Sequence, residues 1–152
     1  MRAETISLNT EVEALLTEAQ LPVSDLSSSL SLSLLGVRES GRLVGVVGIE
    51  VYGDAGMLRS LAVASARRNA GLGVSLVSNA EAWAAEQGVK ALYLLTTTAA
   101  QFFARLGYEA IPRSEAPAAI AATAQFSDLC PASSTFMRKV LAANHSLQAR
   151  RP

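Results

Sequence analysis

The residues with the clearest chemical potential form a short turn in the middle of the chain, where an apolar strand gives way to an amphipathic helix. Arg67, Arg68 and Asn69 bring cationic and amide groups, and Gly71 and Gly73 follow with one residue between them. Glycines at this spacing let a ligand approach the backbone, and the first N–H groups of the next helix lack partners within it. Such donors suit an anion, so the pattern predicts a phosphate-binding turn.

Other structures share this kind of turn. A glycine-rich connection between a strand and a helix is common without any ligand, and the turn alone leaves that alternative open. A dinucleotide-binding fold requires a third glycine at the position of Leu76 and an acidic residue roughly 20 residues further on. A P-loop requires a lysine and a hydroxyl directly after its second glycine, where this chain has Val74. The sequence excludes both of these nucleotide-binding motifs.

The turn resembles the phosphate-binding motif Q/R-x-x-G-x-G/A of the Gcn5-related N-acetyltransferase (GNAT) superfamily, through Arg68, Gly71 and Gly73. The surrounding sequence agrees, with an apolar strand at 58–63 before the turn and a strand followed by an aromatic helix at 92–108 after it. A closer similarity to the small acetyltransferases of bacterial arsenic-resistance genes lies in 58–63, 94–98 with Phe102 and Phe103, 116–117 and 129–131. That similarity spans 38–141 and implies a biological setting, but it does not specify a substrate.

The resemblance implies an enzyme that moves an acetyl group from acetyl-CoA to a primary amine of a small molecule, by direct transfer in a ternary complex. An amino-acid-like toxin is one such acceptor. Backbone groups of the strand would pair with the pantetheine, and the amides of the turn would hold the pyrophosphate. The residues expected to bind the cofactor are Leu61, Ala62, Val63, Arg68, Asn69, Ala70, Gly71, Leu72, Gly73, Val74, Phe102 and Phe103.

The reaction needs a group that accepts a proton from the amine, and Glu50 is the first candidate. It lies near the end of a central strand, after an apolar run in which partial burial would favour the neutral form of a carboxyl group. The alternative is a glutamate that faces solvent. Alternation alone does not tell which face of this strand carries a pocket.

The superfamily often uses a tyrosine of the aromatic helix to protonate the departing thiolate, and that register position is Phe103 here. Tyr108 is our candidate acid, with Cys130, a threonine in 96–98, water or no acid at all as alternatives. Tyr108 follows a helix-ending glycine, where an aromatic side chain more often belongs to the core. Cys130 has no histidine in a plausible relation to it, because His145 lies in the tail, and one Cys with one His cannot form a four-ligand metal site.

A carboxylate on the acceptor would pair with an arginine, and Arg59 and Arg38 are the candidates. Arg59 interrupts an apolar strand, so it faces either solvent or a polar pocket. For both arginines the alternative is a position on the surface. A second hypothesis for the whole chain is an acyl-CoA-binding sensor or partner module without efficient catalysis, which the missing tyrosine keeps open. A third is a site for another phosphate compound.

Composition sets wider limits on the function. The chain has 152 residues, about the size of one domain, and its 13 basic and 13 acidic residues create no overall field for nucleic acid or an anionic membrane. Met1 to Glu4 do not begin a signal peptide and no apolar run is long enough to cross a membrane, so we expect a cytoplasmic protein. We predict a single domain over 1–141 and a flexible tail over 142–152, with a homodimer possible through the final strand.

The fold expected from these patterns is a mixed α/β sheet, largely antiparallel with one parallel crossover and with helices on both faces. Strands are predicted near 5–8, 30–34, 43–52, 57–63, 89–95, 109–111 and 134–141, and helices near 11–19, 72–87, 98–106 and 117–124. Asn9 or Thr10 should cap the first helix. Thr98 and Gln101 have the spacing of a capping box for the aromatic helix.

Overall fold

The computed structural model describes residues 3–19, 21, 32–67, 71–123 and 134–141. These residues form a sheet of seven strands in the order β1-β2-β3-β4-β5-β7-β6. The strands are β1 (Glu4–Ile6), β2 (Leu32–Glu39), β3 (Arg42–Tyr52), β4 (Ala55–Val63), β5 (Ala91–Thr96), β6 (Glu109–Ala110) and β7 (Thr135–Val140). The helices are α1 (Thr10–Glu18), α2 (Leu72–Glu86), α3 (Ala100–Arg105) and α4 (Ala118–Ala121), with short 3₁₀ turns at Ser65–Arg67 and Arg113–Glu115.

The chain divides into two compact units, and the first comprises Met1–Glu50 and Leu58–Trp83. In this unit α1 packs its apolar residues against Leu34 and Val46 of the sheet. The residue before Val46, Gly45, projects to the opposite face because successive side chains alternate along a strand. A Cβ placed on Gly45 would lie 2.8 Å from Leu76 Cδ1 and 3.3 Å from Leu72 Cδ2, so α2 covers that face. The first unit therefore carries helices on both faces, as predicted.

The second unit comprises Val51–Met57 and Ala84–Pro152. It contains the parallel pairing predicted from the strand, helix, strand pattern, in which Ala55, Gly56 and Met57 pair with Ala91, Leu92 and Tyr93. β5 also pairs with β7 in antiparallel register along its whole length. The core of this unit includes stacked rings of Tyr93 and Phe136, whose centroids are 5.7 Å apart.

Local signals predicted the first helix well. Asn9 is its N-cap, with the side-chain oxygen accepting a hydrogen bond from the Val12 amide at 2.9 Å. The predicted capping box of Thr98 and Gln101 is wrong. Ala99 occupies the cap position of α3 without a side-chain hydrogen bond, and the Ala99 amide donates instead to Thr96 Oγ1 at 2.9 Å. α4 is also shorter than predicted and ends at Ala121.

Candidate functional site

Strand β4 has an unusual backbone conformation at Ser60. This residue has φ of +58° and is buried, whereas residues with a Cβ rarely adopt positive φ. After it, the amide of Ala64 donates to the Val44 carbonyl of β3 at 2.8 Å. Since backbone groups alternate in direction along a strand, those of Leu61 and Val63 point away from β3. The backbone groups of both residues predicted to pair with pantetheine therefore point away from β3, and both residues follow shortly after Ser60.

The same part of the sheet contains a buried ion pair between Glu50 and Arg59. Arg59 Nη1 lies 3.0 Å from Glu50 Oε2, and the side chains are 0% and 3% exposed for Arg59 and Glu50, respectively. Arg59 Nε donates to Ser60 Oγ at 3.0 Å. The guanidinium therefore connects the strained serine of β4 to the carboxylate of β3 through two of its nitrogens.

Sequence patterns suggested two separate roles for Glu50 and Arg59, and the structure brings these residues into contact. The alternatives in which the glutamate faces solvent and the arginine lies on the surface are wrong, because the residues are only 2% and 4% exposed, respectively. Their roles as general base and as acceptor-binding arginine stay predictions. Ser60 is the member of this cluster that the sequence patterns did not indicate, and its only signal is a hydroxyl inside an apolar strand beside an arginine.

The other proposed acceptor-binding residue, Arg38, lies near the surface at the end of β2. Its Nη1 donates to Glu11 Oε1 at 2.8 Å, with side chains 32% and 40% exposed for Arg38 and Glu11, respectively. Glu11 Oε2 also accepts from the Leu43 amide at 2.7 Å. The Leu43 hydrogen bond, with a smaller contribution from Arg38, lowers the pKa of Glu11. Arg38 is thus tied to α1 but remains accessible to solvent.

The predicted phosphate-binding turn leads directly into α2. Gly71 has φ of +78°, and its carbonyl accepts the first helical hydrogen bond, from the Ser75 amide at 3.1 Å. Helix geometry leaves the amides of Leu72, Gly73 and Val74 without acceptors inside the helix. Among the described residues other than its chain neighbours, no heavy atom lies within 4 Å of a Cβ placed on Gly71, which leaves room for a ligand on that side. These features fit an anion, and Arg68, Asn69 and Ala70 lie outside the described residues.

Arg67 precedes the turn and reaches back to strand β2. Its Nη2 lies 2.8 Å from Glu39 Oε2, with both side chains about one third exposed. The Arg67 Nε atom is buried and has no hydrogen-bond partner among the described residues. Within the described residues, the Arg67 Nε–H group thus has no acceptor, and it lies directly before the turn.

The second unit holds the aromatic residues proposed near the thioester. The Phe103 ring makes edge contacts with the rings of Phe102 and Tyr108, at centroid distances of 5.0 and 5.5 Å. Tyr108 is only 3% exposed, and Lys139 Nζ lies 5.7 Å from the centroid of its ring. This packing gives Tyr108 a core position, whereas Phe102 is half-buried. A role for Tyr108 as acid stays a prediction.

The cysteine and the histidine considered for catalysis or metal binding, Cys130 and His145, lie outside the described residues. Within the described ranges, no three residues of the His, Cys, Asp and Glu types lie together as metal ligands would. The helices in those ranges are also too short or too polar to span a membrane.

Comparisons with known proteins identify the family. A model of the Acetyltransferase (GNAT) family matches residues 6–108. An uncharacterized N-acetyltransferase of Chlorobaculum tepidum is 38% identical over 78 residues, which are 51% of this chain and 50% of that protein. The chain thus spans about half the length of this curated relative.

Solved structures share the fold at low sequence identity. Tetrahymena Gcn5 superimposes with a TM-score of 0.75 at 12% identity, covering 93% of this chain and 96% of that one. N-acetylglutamate synthase from Neisseria gonorrhoeae, solved with coenzyme A and N-acetyl-glutamate, gives 0.74 at 19% identity, with 93% of this chain but only 35% of the synthase covered. The family match extends over more than half of the chain and includes β4, the glycine turn and α2. The chain therefore belongs to the acetyltransferase (GNAT) family.

Proposed function

We propose that this chain transfers an acetyl group from acetyl-CoA to the primary amine of a small molecule, by direct attack in a ternary complex. The observation that carries the proposal is the set of exposed backbone amides at the beginning of α2, in a chain that belongs to this family. There the open turn at Gly71 exposes backbone donors that suit the pyrophosphate of coenzyme A. The relatives support the reaction, since one is called an N-acetyltransferase and another was solved with coenzyme A.

In this proposal the amides of Leu72, Gly73 and Val74 hold the pyrophosphate together with 68–70. The backbone of Leu61 and Val63 pairs with the pantetheine amides, because these groups point away from β3. In the second unit Phe102 has a half-buried ring and Phe103 a buried one, and a contact of these rings with the cofactor stays a prediction. Acetyl-CoA supplies the activated acyl group as a thioester.

Positioning of the two substrates provides most of the rate in this proposal. An oriented amine beside a thioester replaces a bimolecular encounter, which lowers the barrier without any covalent enzyme intermediate. The amine must still lose a proton, whereas a thiolate leaves readily enough that a dedicated acid is not essential. The candidates for proton transfer, Glu50 and Tyr108, are both almost fully buried, so the proposed function does not depend on either residue.

We further propose an amino-acid-like acceptor that bears a carboxylate, including arsenic- and phosphorus-containing amino acids. Support comes from the accessible guanidinium of Arg38 and from the synthase that was solved with N-acetyl-glutamate. The similarity to acetyltransferases of arsenic-resistance genes, seen in the sequence, points to the same class of compound. Arg59 is less suited to this role, because its side chain is 0% exposed, whereas that of Arg38 is 32% exposed.

The first experiment is calorimetric titration of the protein with acetyl-CoA, for the wild type and a Gly71→Glu variant. The added carboxylate should repel and obstruct the pyrophosphate. Gly41→Glu is a matched control, since Gly41 also has positive φ, at +80°, and a Cβ there would also meet no heavy atom within 4 Å in the described part of the chain, its two neighbours aside. Binding that is lost only in Gly71→Glu supports the cofactor site. Absence of binding by the wild type refutes the proposed function.

Turnover is then measured as release of the coenzyme A thiol with a panel of amines. Acetylation of an amino-acid-like amine, with a raised KM for that amine in Arg38→Met, supports the proposed acceptor class. Tight binding of acetyl-CoA with no turnover on any amine would favour the alternative of an acyl-CoA sensor. Release only with amines that lack a carboxylate would refute the acceptor class and leave the enzyme class intact.

A further inference from the structure

We propose that Glu50, Arg59 and Ser60 form a positioning device that holds β4 in the conformation that binds acetyl-CoA, and that Glu50 does not act as the general base. This inference rests on the proposed function. It assigns one shared task to residues that sequence patterns placed in different roles. It also explains why β3 and β4, which are largely apolar here, contain a buried ion pair.

The backbone of Ser60 depends on its surroundings. A residue with a Cβ is unfavourable at φ of +58°, so neighbouring contacts must stabilise this conformation. The conformation matters because Leu61 and Val63 follow directly, and their backbone groups are the proposed partners of the pantetheine. A change at Ser60 would rotate both residues relative to β3.

The contacts that stabilise Ser60 run through Arg59. The guanidinium is planar, so fixing one of its nitrogens orients the others. Glu50 Oε2 fixes Nη1 at 3.0 Å, and Nε then donates to Ser60 Oγ at 3.0 Å. Burial of both charged side chains keeps water from competing for these bonds.

Strand β3 is shaped to accept this arginine. A Cβ placed on Gly48 would lie 3.3 Å from the Arg59 carbonyl oxygen and 3.4 Å from Arg59 Cγ. The absence of a side chain at Gly48 therefore lets the arginine lie close against β3 on its way to Glu50. Glycine weakens a strand interior, and a close approach by a neighbour is a common reason for one there.

The same geometry argues against proton transfer by Glu50. A general base must reach the proton directly or through one water. Glu50 is 2% exposed, and its Oε2 already accepts from Arg59. The carboxylate is therefore committed to the arginine and acts on the reaction through the position of β4.

The test is a double-mutant cycle read out as the Kd for acetyl-CoA. Glu50→Gln weakens the anchor of the guanidinium, and Ser60→Ala removes the hydroxyl while keeping the Cβ that makes positive φ unfavourable. We expect each single variant to raise Kd about tenfold, which corresponds to about 1.4 kcal/mol. The double variant should bind no more weakly than Ser60→Ala, because Glu50 acts through Ser60.

Two further variants complete the design. Arg59→Lys keeps a positive charge opposite Glu50 but has no donor at the position of Arg59 Nε and no planar fork, so the fixed link to Ser60 Oγ is lost. It should raise the Kd for acetyl-CoA about as much as Glu50→Gln does, and it replaces that variant in the test if Glu50→Gln does not fold. Glu109→Gln removes an exposed ion pair to Arg138 and should leave Kd unchanged. All titrations are done below the unfolding temperature of the least stable variant.

Kinetics separate the competing roles. A positioning role predicts a raised KM for acetyl-CoA with an unchanged pH profile of kcat. A fall in kcat of about a hundredfold or more in Glu50→Gln, with Kd unchanged, would identify a base and overturn the inference. Lower thermal stability without any change in Kd, or additive effects in the cycle, would also overturn it. Failure of the wild type to bind acetyl-CoA refutes the proposed function itself, whereas equal binding by wild type and variants refutes only the positioning device.

Discussion

Removal of the positive charge from the buried ion pair should destabilise the protein strongly. Arg59→Met leaves the carboxylate of Glu50 in a site where its side chain is 3% exposed, without its cationic partner. Loss of one partner from a buried pair costs about 3–5 kcal/mol, a large part of the roughly 5–15 kcal/mol that stabilises a domain. With a urea dependence of about 2 kcal/mol per M, the unfolding midpoint should fall by about 1.5–2.5 M.

The double variant Glu50→Leu/Arg59→Met separates the cost of an unpaired charge from the cost of lost packing. Replacement of both charges by apolar groups of similar volume removes the unpaired charge, so most of the lost stability should return. The control is Arg38→Met, which breaks an ion pair of nearly equal length, 2.8 Å, whose arginine side chain is 32% exposed. Its midpoint should shift several-fold less. Equal shifts for Arg59→Met and Arg38→Met, or a double variant less stable than Arg59→Met, would show that burial of the pair does not control its energy.

Two smaller predictions concern contacts at the starts of helices. Hydrogen bonds from the Leu43 amide and Arg38 lower the pKa of Glu11 in the folded state, so this stabilisation is present above the ordinary value of 4.5 and is lost as the pH falls below it. Glu11→Gln should therefore lower the urea midpoint at neutral pH, and a gap to the wild type that persisted in strong acid would contradict this. Thr96→Val removes the acceptor of the Ala99 amide and should cost about 1 kcal/mol in urea unfolding, whereas Thr96→Ser should cost little, and equal losses would contradict the hydrogen bond.

Elements set by local patterns were predictable from the sequence. Asn9 before an amphipathic run identified the start of α1, because an N-cap is decided by residues within one turn. Gly71, directly before α2, and Gly73, in its first turn, identified an open helix start for the same reason. The cap of α3 was missed because three consecutive threonines precede it, and spacing alone does not show that Thr96 is the one that bends back to the Ala99 amide.

The conformation of Ser60 could not be predicted, because period-two alternation describes only a regular strand. A residue with positive φ interrupts the regular alternation of a strand, so the faces of 61–63 cannot be read by continuing the pattern of 55–59. Local strand propensity also gives no preference for serine at positive φ. The Arg59 guanidinium that donates to Ser60 is itself held by Glu50 of β3, and this tertiary contact is not part of the local sequence pattern.

The contact between Glu50 and Arg59 did have a signal that can be read from the sequence. Gly53 and Asp54 form a two-residue turn between β3 and β4, and the length of a hairpin turn sets the register of its strands. Counting outward from this turn pairs Gly48 with Arg59, which agrees with their close approach, and places Glu50 two residues along on the same face. A glycine opposite an arginine leaves room for the arginine side chain to lie across the neighbouring strand. The side chain can then reach an acidic residue at the diagonal position. The predicted strands at 43–52 and 57–63 left a four-residue turn, however, so the register that brings these residues together depends on the shorter turn that the structure shows.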